Sequence, residues 1–185
     1  MPGGKAGIKM ADLIVENIVV AADLKQSLPL QTLAISISDA DYNEEDPLLI
    51  FRFNEPKRAV LVTSQGSISC TGIKTEEEGK EYITKIVDIL KDHGVFIDKL
   101  PDINMQSFVV STQLNKTFDL NNLSKHLQAN PIIYNPDQKP WIEYAYDDQT
   151  TILISTSGKL VCTSTSTIDH ASEAIDSLSK TLLSI

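Results

Sequence analysis

The sequence predicts an α+β fold built twice from one unit. Three observations carry that reading: a stretch that recurs within the chain, the same order of strand and helix signals around each copy, and an in–out alternation within the recurring strands. Residues 59–75 read AVLVTSQGSISCTGIKT and residues 151–167 read TILISTSGKLVCTSTST. Gly66 and Gly158, Cys70 and Cys162, and Thr71 and Thr163 all stand 92 residues apart. Upstream, Val19 and Val109, Leu24 and Leu114, Leu30 and Leu120, and Leu33 and Leu123 stand 90 apart, while Tyr42-Asn43 and Tyr134-Asn135 return to 92. The two-residue change between Leu33 and Tyr42 is what a turn insertion produces. A repeat of this length is one supersecondary unit used again, and the copies join near residues 99–102.

Within the first copy each element has a local cause. Residues 13–22 are a β-branched apolar run and predict a strand. Residues 29–37 place Leu30, Leu33, Ala34 and Ile37 at helical spacing behind Pro29, predicting a short helix. Residues 48–53 predict a strand, 54–57 a turn, 59–63 a strand, 64–66 a hairpin turn and 67–72 a further strand. Thr75 with Glu78 three residues on is a capping box. The helix behind it aligns Tyr82, Ile83, Ile86, Val87, Ile89 and Leu90, and His93-Gly94 ends it. The second copy repeats the series, its last helix running over 168–183, with a poorer start because Thr167 is followed at plus three by His170. Two such units are expected to merge their sheets, with the long helices on one face and the other face open. Alternation sends Ile68, Cys70, Leu160 and Cys162 toward the helices, and Ser67, Ser69, Thr71, Lys159, Val161 and Thr163 to the open face. Both cysteines are therefore expected to be small core residues.

Composition excludes several classes. The 185 residues are 42% hydrophobic, too apolar for a disordered chain. No apolar run approaches the roughly 18 residues of a membrane-spanning helix, and the start, MPGGKAGIKMADLIV, lacks the pattern of a secretory signal. Two cysteines make neither a disulfide scaffold nor a four-thiolate zinc site. His93, His126 and His170 are scattered, and no G-x-S-x-G or phosphate-loop motif occurs. An enzyme, a metal centre and a cofactor are therefore not expected. The net charge of -9 by itself argues against phosphate recognition. It is spread over both copies, with 11 basic against 16 acidic residues in 1–100 and 5 against 9 in 101–185.

A specific resemblance runs through Glu16-Asn17-Ile18-Val19, Asp39-Ala40-Asp41-Tyr42-Asn43, Arg52 with Glu55-Pro56-Lys57, and Gly66 to Gly72 continuing into Ile73-Lys74-Thr75. In the second copy it runs through Tyr134-Asn135-Pro136 and 157–163. On these residues, in order and twice, the chain resembles the TATA-box-binding protein family, closest in character to its archaeal members. The resemblance implies a pseudo-twofold saddle: one curved antiparallel sheet with helices on its convex face, residues 1–11 a leader, 12–100 the first repeat and 101–185 the second, forming one continuous domain. Family members place the concave face on the DNA minor groove and kink the duplex with apolar wedges, a property of the family carried over here. Promoter DNA and a B-type transcription factor are the implied partners, with no membrane and no small-molecule substrate. The implied location is the cytoplasm or nucleoid of an archaeon, or the nucleus of a eukaryote.

Position by position, Asn17 fits an asparagine that reads acceptors at the centre of the site, and Val19, Val109 and Val161 fit apolar groove contacts. Thr71 and Thr163 fit paired threonines near the pseudo-dyad. Arg52, Ser157 and Lys159 fit backbone contacts, although Arg52, near acidic Glu44, Glu45 and Asp46, fits an ordinary surface ion pair as well. The departures are large: the four intercalating phenylalanines of the family fall at Asp46, Thr63, Lys139 and Ser155, none of them apolar. The second groove asparagine is Ser107 and the second arginine Ala145, while Ser67 and Ser69 stand where the family has lysine and valine. Near the second stirrup loop, where the family's acidic residues engage the B-type factor, only Asp137 remains. Trp141, beside the second wedge site, is read either as a core or rim aromatic or as a substitute stacking surface. The expected function is a divergent initiation factor of this family that binds promoter DNA with weakened or absent kinking. The alternative is a saddle-fold protein-interaction module or regulator of transcription that no longer binds TATA DNA by itself.

Overall fold

The computed structural model describes residues 13–127 and 129–185; the leader expected at 1–11 lies outside them. The chain divides into two compact units, Asn17–Gln106 in one, and Ser107–Ile185 with the chain through Glu16 in the other. The element order is β1 (Ile14–Asp23), α1 (Leu30–Ser36), β2 (Ala40–Asn43), β3 (Leu48–Asn54), β4 (Lys57–Thr63), β5 (Ser67–Ile73) and α2 (Glu76–Asp92). It then repeats as β6 (Asn104–Gln113), α3 (Leu120–His126), β7 (Ile132–Ile133), β8 (Trp141–Ala145), β9 (Thr150–Ser155), β10 (Lys159–Ser164) and α4 (Ile168–Ser184).

In the first unit the strand order is β2-β3-β4-β5-β1, with each strand antiparallel to its neighbour. Val20, Ala22, Leu49, Phe51, Val60, Val62, Ile68 and Cys70 alternate onto one face and are buried there. Helix α2 packs on that face through Ile83, Ile86, Val87 and Leu90. Gly79 lets its first turn approach the sheet, since a Cβ there would come within 2.4 Å of Val20 Cγ2. The helix starts where the capping box predicted: Thr75 accepts the Glu78 N–H at 3.2 Å. Glu78 reaches one residue further back than the pattern requires, accepting the Lys74 N–H at 3.0 Å and Arg58 Nε at 2.5 Å. Burial opposes ionisation of Glu78, yet the Lys74 amide and the Arg58 guanidinium outweigh it and hold the carboxyl below its ordinary value.

The second unit has the order β6-β10-β9-β8-β7, again antiparallel throughout. Ile142, Ile152, Ile154, Leu160 and Cys162 form its buried face, covered by Ala171, Ala174, Ile175, Leu178 and Leu182 of α4. The helix start read as poor is capped nonetheless: Thr167 Oγ1 accepts the backbone N–H of His170 at 3.2 Å, a bond that needs no particular side chain at that position. The His170 ring instead reaches Asp147 at 2.6 Å and ties α4 to the β8–β9 turn. The short helices also start differently. Pro29 gives no side-chain cap, whereas Asp119 accepts from both Asn121 and Asn122.

The two hairpin turns are built alike. Gly66 and Gly158 hold φ of +90° and +85°, and their carbonyls accept the backbone N–H of Leu24 and Leu114 respectively, each at 2.9 Å. Side chains are excluded at both turns by backbone: an added Cβ would stand 2.2 Å from Gln26 O or from Lys116 O. Both cysteines are fully buried, and burial pushes the Cys70 thiol up to about 11 and Cys162 to about 12. The edge strands β2 and β7 are additions to what the sequence patterns indicated; they are only four and two residues long.

Candidate functional site

The face of each sheet turned away from the long helix carries the half-exposed residues, and there the structure places most of the sequence-predicted side chains. In the first unit these are Asn17 and Val19 on β1 and Thr71 on β5, with Arg52 two strands further out in the register Arg52–Ala59–Thr71. Asn17 is engaged within the protein. Its Nδ2 donates to Thr71 Oγ1 at 3.2 Å and its Oδ1 accepts the Gly72 N–H at 2.8 Å. This is where β1 and β5 slip register between Ile18 and Val20, so the side chain satisfies a backbone donor that the irregular ladder leaves over. The anomaly of an asparagine within a strand thus has a structural cause. Arg52 Nε lies 3.1 Å from Asp41 Oδ2, both side chains well exposed.

In the second unit Val109 pairs directly with Thr163, and Val161 with Ser111. Lys159 Nζ stands 3.4 Å from Glu16 Oε1, which also accepts Ser111 Oγ at 2.6 Å. Ser157 sits in the hairpin turn, its hydroxyl 3.0 Å from that of Ser155 and its carbonyl accepting from Gln113 Nε2 at 2.7 Å.

The four positions read as degenerate wedge sites all carry polar side chains, and those of Thr63, Lys139 and Ser155 have local partners. Asp46 lies exposed in the β2–β3 turn, its N–H 3.4 Å from Asn43 Oδ1. Thr63 Oγ1 accepts the Ser67 N–H at 3.1 Å. Lys139 Nζ meets Glu143 Oε1 at 2.5 Å. Ser155 Oγ accepts the Lys159 N–H and donates to the Lys159 carbonyl, both at 3.0 Å. Lys139, and after it Trp141, whose Nε1 is 3.4 Å from the same carboxylate, hold the Glu143 carboxyl below its ordinary value.

Three carboxylates therefore stand beside three basic residues on or next to these faces: Asp41 at Arg52, Glu16 at Lys159 and Glu143 at Lys139. Sequence reasoning missed the pairs at Lys159 and Lys139, and for Arg52, read as either a backbone contact or a surface ion pair, it did not name Asp41 as the partner. Asp41 and Arg52 are eleven residues apart and Glu16 and Lys159 are 143 apart, so only strand pairing brings them together. Glu143 was within reach of a local signal, since it follows Lys139 by four residues. A groove of about 720 Å³ in the first unit, between residues 21–26 and 96–102, contains none of the predicted site residues. Among the described residues no cluster of His, Cys, Asp and Glu could hold a metal ion, and no helix is long and apolar enough to cross a membrane.

Two copies of a strand–helix–four-strand–helix unit, each with one sheet face under its long helix and the other bearing small polar and β-branched side chains, define a two-repeat α+β protein with a sheet-face site. The family model described as "Transcription factor TFIID (or TATA-binding protein, TBP)" matches residues 12–93 and 102–185. The chain belongs to this family. It is 36% identical to the TATA-box-binding protein of Natronomonas pharaonis over 166 residues, 89% of each chain. It is 34% identical to that of Methanothermobacter thermautotrophicus over 167 residues, covering 89% of this chain and 91% of the relative. The solved structure of Methanococcus jannaschii TBP matches with a TM-score of 0.81 at 30% identity, covering 94% of this chain and 99% of the other. The α+β fold of two repeats implied by the sequence is the fold of this family.

Proposed function

We propose that this protein is a divergent transcription initiation factor of the TATA-box-binding type, binding promoter DNA through the open sheet faces with weakened or absent minor-groove kinking. The observation that carries the reading is the pairing of a retained face with disabled wedges. Val19, Val109, Val161, Thr71 and Thr163 all stand on the uncovered faces, while Thr63, Lys139 and Ser155 are hydrogen-bonded or ion-paired locally and Asp46 is an exposed carboxylate. Asn17 keeps one amide N–H beyond the bond to Thr71, enough for a single groove acceptor. Arg52, Ser157 and Lys159 serve as backbone contacts, and a B-type transcription factor is the protein partner. Residues 12–100 and 101–185 act as the two repeats of one DNA-binding domain, working in the cytoplasm or nucleoid of an archaeal cell.

Unstacking a base step costs about a few kcal/mol, which an inserted apolar side chain and the burial that follows must offset. Polar side chains, three of them already engaged within the protein, supply neither. The phosphate term is reduced as well, because Arg52 and Lys159 must exchange a carboxylate for a phosphate instead of meeting it as unpaired charges. Gel shift and fluorescence bending on a TATA duplex, with and without the B-type factor, test this. Weak binding or binding with little bending is expected; nanomolar affinity with strong bending from the protein alone at moderate salt overturns it. The three ion pairs give some support to a second reading, a protein-interaction module or transcription regulator on the same fold. It predicts no duplex affinity under any of these conditions and a stable protein complex on pull-down.

A further inference from the structure

Trp141 is the only tryptophan of the chain. It opens β8, where Ile142 is buried in the core and Trp141 and Glu143 alternate to the open face, half-buried. The aromatic residues of the neighbouring strands are otherwise engaged. Phe108 is buried in the core, Tyr146 packs against His170, and Tyr144 alternates with Glu143 to the helix side, opposite buried Ile152. Directly across from Trp141 stands Ser155, a small side chain held down by both backbone groups of Lys159. Opposed residues of an antiparallel pair have Cβ atoms about 5 Å apart, so a serine there leaves one side of the indole without a bulky neighbour. The indole is also oriented: its Nε1–H points at Glu143 Oε1, which Lys139 holds from the other side. A flat apolar group, fixed at its polar edge and flanked by a small residue and an ammonium group, is a stacking platform. The equivalent pair in the first unit is Leu48 opposite Thr63, with no aromatic ring.

We propose that the Trp141 indole stacks on a nucleobase at the outer end of the second unit's open face. A bound duplex is then unstacked at one step beside Trp141 and left intact at the end served by Leu48 and Thr63. This rests on the reading that the open faces bind promoter DNA, and it deepens that reading by giving the deformation a side and a residue.

The full-length protein carries its own probe. Binding of an end-labelled TATA duplex is followed by anisotropy while tryptophan emission is recorded, and single 2-aminopurine substitutions along the duplex locate any unstacked step. Expected are quenching of Trp141 that tracks the binding curve, brightening of 2-aminopurine at one step only, and loss of both signals in Trp141→Ala. That variant should bind roughly tenfold or more weakly, with Trp141→Phe recovering part of the loss. The quenching measurement on the unaltered protein stands even if Trp141→Ala fails to fold. Duplex binding with unchanged tryptophan emission and silent 2-aminopurine overturns the stacking proposal and leaves DNA binding intact. Absence of duplex binding with and without the B-type factor overturns both.

Discussion

Replacing Gly66 by alanine, with Gly94 as its matched control, separates backbone strain from steric exclusion in a single fold. Both glycines hold nearly the same left-handed backbone, φ +90° and +89°. A Cβ at Gly94 meets nothing within 4 Å, whereas at Gly66 it falls 2.2 Å from Gln26 O and 3.3 Å from Gln26 C. Gly94→Ala therefore costs only the left-handed penalty, about 1–2 kcal/mol, partly offset by the smaller entropy of the unfolded chain. The net loss is about 1 kcal/mol. Gly66→Ala carries the same penalty and must also push the 24–28 segment away. That gives up the bonds from Leu24 N to Gly66 O and from Leu28 N to Ser64 O, worth about 1 kcal/mol each, and loosens the packing of Leu28. The expected loss is about 3–4 kcal/mol. For a chain of this size roughly 2–4 °C of melting temperature goes with each kcal/mol. Thermal and urea unfolding of both variants check the difference. Equal losses would show that the turn yields freely, and would refute the reasoning that backbone exclusion, and not φ alone, fixes glycine at this turn in both repeats.

Other outcomes follow from the same structure. Asp41→Asn removes the carboxylate beside Arg52, so duplex binding should tighten severalfold at low salt and its logarithmic salt slope should steepen by about one; an unchanged slope would show that Arg52 meets no phosphate. Both thiols should ignore a disulfide reagent at pH 8 in the native protein and react fully in denaturant, because burial holds them at about 11 and about 12; fast native labelling would show that the core opens. Asp147, held low chiefly by its bond to His170, and Glu78 both have depressed folded values. Their contribution is present above the ordinary carboxylate range near pH 4 and is lost as pH falls through the folded values. Asp147→Asn and Glu78→Gln should flatten acid unfolding in that window, and an unaltered acid profile would remove these pairs from the account.

Much of this was legible along the chain. Strand alternation around Cys70 and Cys162, the Thr75 cap and the paired turn glycines are local patterns whose consequences lie within a few residues, and the structure places them as read. Asn17 shows where such reading stops. Asparagine in a strand signalled a special role, but its partner is Gly72, 55 residues away, across a register slip that no periodicity announces. The pairing of Arg52 with Asp41 and of Lys159 with Glu16 was equally invisible, since net charge counts such groups without saying which face each other. Side-chain character and spacing determined the repeat, most of the elements and the core face, because these depend on neighbours in sequence. Only the tertiary structure decided which cations are already neutralised and that Trp141 lies opposite Ser155. Cross-strand partners are set by sheet register, and register emerges from the whole sheet at once.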